Sequence, residues 1–211
     1  MLDTLMPVRA HATTTSPVVE SLPDLLLIER ARSGDQRAIE TLVRRSHRRL
    51  YRVARSFLED AAAAEQAVGS AYLEAFADLS RYQPNGKFAA WLTNLVVGQA
   101  RHAVPRREAV IAPSATADAA DAAGDIERAI LALPEVFRVV FVLRVVEGIG
   151  GVETAASLGL NETTVRTRLY RAQRRLAAAT GERVPNAPDV FALSPECSER
   201  IVQRVLSQLA A

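Results

Sequence analysis

Residues 147–176, EGIGGVETAASLGLNETTVRTRLYRAQRRL, constrain this chain more than any other stretch. Val152, Ala155, Ala156 and Leu158 recur at helical spacing and predict a short first helix. Gly159 supplies the turn, because the residue after a helix often needs positive φ and glycine reaches it without steric cost. Asn161 is placed to cap a second helix. Leu160 and Val165 flank that cap at the spacing of a hydrophobic staple. The second helix is expected to run to about Leu176, with Val165, Leu169, Ala172 and Leu176 on one face. Thr163, Thr167, Tyr170, Arg171 and Arg174 lie on the opposite face, flanked by Arg166 and Arg168.

Two short helices around a tight turn, the second apolar on one side and rich in Arg and Thr on the other, form a helix-turn-helix. Such a helix suits the major groove: Arg bonds a guanine edge bidentately and Thr meets a thymine methyl. The remaining arginines can hold phosphates, which adds affinity without sequence information. The plain alternative is a solvated basic helix. The turn, the cap and the preceding helix together argue against it.

The balance of residue types limits the other options. Of 211 residues, 49% are hydrophobic and 24% charged, enough for one or two small cores. Aromatics make up only 5%, and the abundance of Ala, Leu, Val and Arg predicts a mostly helical chain. The net charge is +2, but arginines cluster at 44–55, 101–107 and 166–175 while acids fill 118–127. That asymmetry fits a nucleic-acid binder. Cys197 is the single cysteine, so no intrachain disulfide forms and a reducing, cytoplasmic setting is expected. The apolar runs are too short to span a membrane, and the N-terminus lacks the pattern of a signal peptide.

Along the chain, residues 1–23 read as a flexible tail. A helical domain is expected over 24–108: a short helix stopping at Gly34, a long one capped by Asp35, another from about Ala61 to Leu79, a turn at Pro84-Asn85-Gly86, and a fourth helix from Phe88 into the basic run Arg101 to Arg107. Residues 109–124 read as a linker. A second helical domain is expected over 125–180 and carries the helix-turn-helix, while 181–211 hold another linker and a C-terminal amphipathic helix. The fold class is therefore all-α, two small helical domains joined by a flexible linker that lets them engage separate sites together.

Two segments resemble a known family. LPEVFRVVFVLRVVEG…ETAASLGLNETTVRTRLYRAQRRL is similar to region 4 of the extracytoplasmic-function group of bacterial RNA polymerase sigma factors, within the sigma-70 family. GDQRAIETLVRRSHRRLYRVARSFLED…AEQAV…AYLEAFADLSRY…WL is similar to region 2. The resemblance implies a factor that binds core RNA polymerase and promoter DNA, reads the minus-thirty-five element with region 4 and melts the minus-ten element with region 2. It places groove contacts at Arg166, Thr167, Tyr170 and Arg171, within the arc the helical wheel selects. It places minus-ten contacts at Tyr82, Lys87, Phe88, Trp91 and Arg101, where unstacked bases can lie on aromatic rings; plain core packing is the alternative for Phe88 and Trp91. It places polymerase contacts at Glu65, Gln66 and Glu74, and adds an anti-sigma factor to the candidate partners.

Region 2 departs from the family pattern: Gln66 and Gly69 replace an expected acid and Gln, and Gly98 stands for an Asn. Gly150 stands where a capping Ser is common, and Pro105 ends the basic run. Cys197, Arg200, Ile201 and Val202 resemble a short tail carried by some relatives, with imperfect spacing. That terminal helix is expected to complete a core, with docking of a partner as the alternative. His11, His47 and His102 are scattered, no spacing suits zinc, and there is no phosphate-binding loop, so no catalytic residue, metal or cofactor is expected. The competing readings are a stand-alone helix-turn-helix regulator, which predicts a dimer on paired half-sites, and a degenerate sigma-like interaction module.

Overall fold

The computed structural model describes residue 19 and residues 21–84, 87–103, 122–181 and 190–210. Residues 1–18, 20, 85–86, 104–121, 182–189 and 211 lie outside it, and with them most of the expected tail, the end of the expected basic run and most of the expected 109–124 linker. Among the described residues the structure is entirely helical, in nine α-helices with one 3-10 turn and one π turn. None of these helices is long and apolar enough to cross a membrane.

The first four helices are α1 (Asp24–Arg32), α2 (Gln36–Arg55), α3 (Ala61–Ala77) and α4 (Phe88–Ala103). The Asp35 carboxylate caps α2 by accepting from the Arg37 and Ala38 amides, and Asp60 caps α3 through the Ala63 amide. Ile39, Leu42, Val43, Leu50 and Val53 line the inner face of α2, at the spacing that makes a helix bury one stripe. Tyr72 is fully buried on α3. Its hydroxyl meets Ser46 Oγ at 2.7 Å and donates to the Val43 carbonyl at 3.1 Å, so it enters the core without an unmet polar group. The chain is packed before α1 begins: Val19 is buried, and the Leu22 carbonyl accepts from Arg45.

The next helices are α5 (Ala122–Leu131), α6 (Glu135–Phe141), α7 (Gly151–Leu158) and α8 (Glu162–Thr180). Helix α5 begins three residues ahead of the expected Asp125, inside the acidic stretch read as linker. Between α6 and α7 the chain makes a π turn, Val142–Val146. This stretch faces two ways: Val139, Val140 and Leu143 join the core of the first four helices, whereas Phe141 and Val142 pack with Ile130, Ala172 and Leu176. Val190 and Phe191 complete this second core, and the Phe191 amide donates to the Glu127 carboxylate at 2.6 Å. The last helix, α9 (Pro195–Leu209), is capped by Ser194 and lies across α2 and α3.

The two halves do not stand apart. Helix α7 packs on α4, and the larger core runs without a break from α1 through Ile149, Ala155 and Val165. Loop closure costs only logarithmically with the length of the connection, so a long connection between the halves does not prevent this docking. A single sequence shows each helix's apolar face but not which other helix will cover it.

Candidate nucleic-acid interface

The turn between α7 and α8 is built locally. Gly159 has φ +62° and its amide closes α7 on the Ala155 carbonyl. The Asn161 side chain accepts from the Thr164 amide at 2.7 Å and caps α8. Gly150 occupies the N-cap of α7 and makes no side-chain cap bond. Helix α8 runs past Leu176 to Thr180 and ends on Gly181, again in the left-handed region at φ +69°. Val165, Ala172 and Leu176 are buried along its inner face.

Thr163, Arg166, Thr167, Tyr170, Arg171 and Arg174 are all exposed on the outer face, and Arg168 is half-buried at its edge. Tyr170 is 60% exposed, and the Arg174 guanidinium lies 5.9 Å from its ring centre. Arg166, Arg168 and Arg171 form no ion pair with any described residue. Most of the other described arginines meet a carboxylate or carbonyl, though Arg37 and Arg48 do not, so this face is a concentration of unspent positive charge. The Thr167 hydroxyl donates back to the Thr163 carbonyl, which leaves its methyl group and a lone pair outward.

The residues expected at the minus-ten contact lie in a different setting. Tyr82, Phe88 and Trp91 form one aromatic cluster, with ring centres 5.2–5.6 Å apart. Tyr82 and Phe88 are buried at 5% and 3% exposure, and Trp91 is half-buried against the core. Lys87 is paired with Glu153 of α7 at 2.7 Å, and Arg101 with Glu135 of α6 at 3.0 Å. The aromatic rings that suit base stacking are thus inside, and the nearby cations are taken up by the other half of the chain.

Glu153 is the hub of that contact, and nothing in its sequence neighbourhood marks it. It also accepts from Arg49 of α2 at 2.9 Å, while Asn94 of α4 donates to the Ala156 carbonyl at 3.3 Å. Burial alone would raise the Glu153 pKa. The bonds from Lys87 and Arg49 outweigh it and hold the carboxyl below the ordinary glutamate range. Arg49 Nε and Nη2, Thr154 Oγ1 and Ser157 Oγ are buried in this region with no hydrogen-bond partner among the described residues.

Of the three expected polymerase contacts, Gln66 is exposed on α3, Glu74 bonds Arg81 and Gln99, and Glu65 is held by Arg200 of α9. These residues share α3, but only Gln66 is open to a partner as the chain stands.

Two family patterns match this chain. Residues 42–109 match the family pattern described as sigma-70 region 2, and residues 123–176 that of sigma-70, region 4. The ECF RNA polymerase sigma factor SigM of Mycobacterium tuberculosis is 30% identical over 158 residues, covering 71% of this chain and 80% of its own. The ECF RNA polymerase sigma-E factor of Escherichia coli K12 is 27% identical over 184 residues, covering 74% and 94%. Among solved structures, CnrH in complex with the cytosolic domain of CnrY is 29% identical, with a TM-score of 0.59, covering 74% of this chain and 95% of that one.

Proposed function

The chain belongs to the extracytoplasmic-function group of RNA polymerase sigma factors, within the sigma-70 family, and from that premise we propose how its parts divide the work. It binds core RNA polymerase and directs initiation at particular promoters. Helix α8 enters the major groove of the minus-thirty-five element, with Arg166, Thr167, Tyr170 and Arg171 toward base edges and Thr163, Arg168 and Arg174 toward the backbone. The observation that carries this assignment is the exposed arc of α8, whose arginines no described carboxylate neutralises. Polymerase performs the chemistry, in the cytoplasm, and this chain supplies no catalytic group. A protein antagonist is a further candidate partner, since CnrH is seen bound to a domain of CnrY.

The same premise gives the α4–α7 contact a role. Tyr82, Lys87, Phe88, Trp91 and Arg101 meet the minus-ten strand only after α7 leaves α4, because Glu153 and Glu135 now hold the cations. Polymerase separates the halves by binding each at its own place. The closed chain is then a form that reads little DNA alone.

The test is promoter selection by reconstituted holoenzyme carrying Arg171→Ala. If Arg171 bonds a base, promoter binding weakens by about 1–3 kcal/mol and preference at one base pair relaxes. A uniform loss across all sequences, with a smaller salt dependence, reassigns Arg171 to a phosphate.

A further inference from the structure

Helix α9 is more than a terminal helix filling out a core. Its inner face, Cys197, Ile201, Val202 and Val205, is buried against α2 and α3. Its flanks are tied down by charge. Arg200 grips both oxygens of Glu65, at 2.6 and 3.1 Å, and Arg44 of α2 donates to Glu199 through both terminal nitrogens at 3.1 Å. His47 Nε2 lies 2.6 Å from Ser198 Oγ. The Arg200 bonds, ahead of burial, bring the Glu65 carboxyl below its ordinary range. Burial and the adjacent Glu65 push the Cys197 thiol up to about 12, so it stays an uncharged packing group.

The seating of α9 is uneven along its length. Gly69 of α3 lies under Arg204, and a Cβ at Gly69 would come within 3.3 Å of Arg204 Cδ. A glycine inside a helix costs on the order of 1 kcal/mol relative to alanine, and a side chain here would require Arg204 to give way by a few tenths of an ångström. Beyond this point a groove of about 570 Å³ opens between α3 and α9, lined by Gln66, Ser70, Arg204 and Gln208 among others. The N-terminal half of α9 is fixed by ion pairs, while its C-terminal half borders open space.

We propose that the groove formed by α2 and α3 is one docking surface with two alternative occupants, α9 of this same chain and core RNA polymerase. This rests on the reading that Glu65, Gln66 and Glu74 face the polymerase. Glu65 cannot serve polymerase while Arg200 holds both its oxygens, and Gln66 and Gly69 lie at the edge of the groove that α9 borders. Helix α9 therefore covers the docking face in the free chain and must swing away before polymerase seats. The Gln66 and Gly69 departures from the family pattern adapt α3 to its internal ligand. Docking within one chain needs only modest affinity, because the segment is present at high effective concentration.

The experiment measures binding of the full chain to purified core polymerase, with Arg200→Glu beside it, and follows amide exchange across 195–209 in the free and bound chains. Arg200 is 60% exposed, so the reversal leaves the fold intact while setting like charges face to face. We expect Arg200→Glu to bind core about threefold to tenfold tighter, from loss of a partly exposed ion pair and its replacement by repulsion. We also expect α9 amides, slow in the free chain, to become fast in the complex. Equal or weaker binding by Arg200→Glu, or α9 amides that stay as slow in the complex, overturns the cover while leaving the sigma-factor reading in place. No binding by either chain overturns that reading, and the cover with it.

Discussion

Replacing Glu153 with Gln removes one charge at the point where the two halves are tied together and keeps the side chain's shape. Arg49 and Glu153 have side-chain exposures of 15% and 17%. Stripping the partner from a fully buried ion costs about 3–5 kcal/mol, while breaking an exposed pair costs at most about 1 kcal/mol. This pair lies between those limits. Lys87, at 74% exposure, adds close to nothing. Arg49 already has two nitrogens without a described partner, so the loss of Glu153 leaves its charge almost unanswered. The expected cost is about 1–3 kcal/mol, a roughly five- to 150-fold shift toward the open form.

Urea unfolding at pH 7 reads the stability change, and amide exchange in α4 and α7 shows where the structure loosens. Because the folded-state pKa of Glu153 is depressed, its contribution is full above the ordinary glutamate value of about 4.3 and is lost as pH falls through the lower folded value. Native and Glu153→Gln chains should therefore differ at pH 7 and draw together as pH falls below the ordinary glutamate value of about 4.3. A loss under about 0.5 kcal/mol at pH 7, the scatter of ordinary surface changes, with α4 and α7 as protected as before, refutes the claim that Glu153 ties the halves.

Three smaller changes test other parts. Asn161→Ala removes the cap of α8 and should cost about 1 kcal/mol, seen in thermal melting as a fall of roughly 2–4 °C; no change means that water replaces the cap without loss. Tyr72→Phe deletes a hydroxyl engaged with Ser46 and Val43 in the core and should cost about 1–2 kcal/mol in denaturant titration. Arg166→Ala touches an exposed, unpaired side chain, so stability should stay within about 0.5 kcal/mol while promoter binding falls; a clear loss of stability would place Arg166 in the fold rather than at the DNA.

The helix-turn-helix was legible because its determinants are local. Gly159 needs its positive φ and Asn161 its cap whatever surrounds them, and the buried stripe of α8 follows from helical periodicity. The expected arc from Thr163 to Arg174 is the exposed one for the same reason. What the sequence did not display is tertiary pairing. Glu153, Arg49 and Lys87 look like ordinary solvated charges until α7 is laid on α4. Tyr82 and Phe88 suit base stacking and core packing equally as residue types, and only the fold puts them inside. Ile201, Val202 and Val205 announced an apolar face on α9, but neither its cover nor the Arg200–Glu65 tie is written in helical spacing.

In vitro transcription with purified core polymerase and fragmented genomic DNA, with and without this protein, asks whether the chain directs initiation at particular promoters. Discrete new transcripts are expected whose upstream DNA shares two spaced elements, with the outer one lost as a determinant when Arg166, Tyr170 and Arg171 are replaced by Ala. Contradiction would be the absence of any new transcript from the full chain and from Arg200→Glu alike, with neither retained by core polymerase.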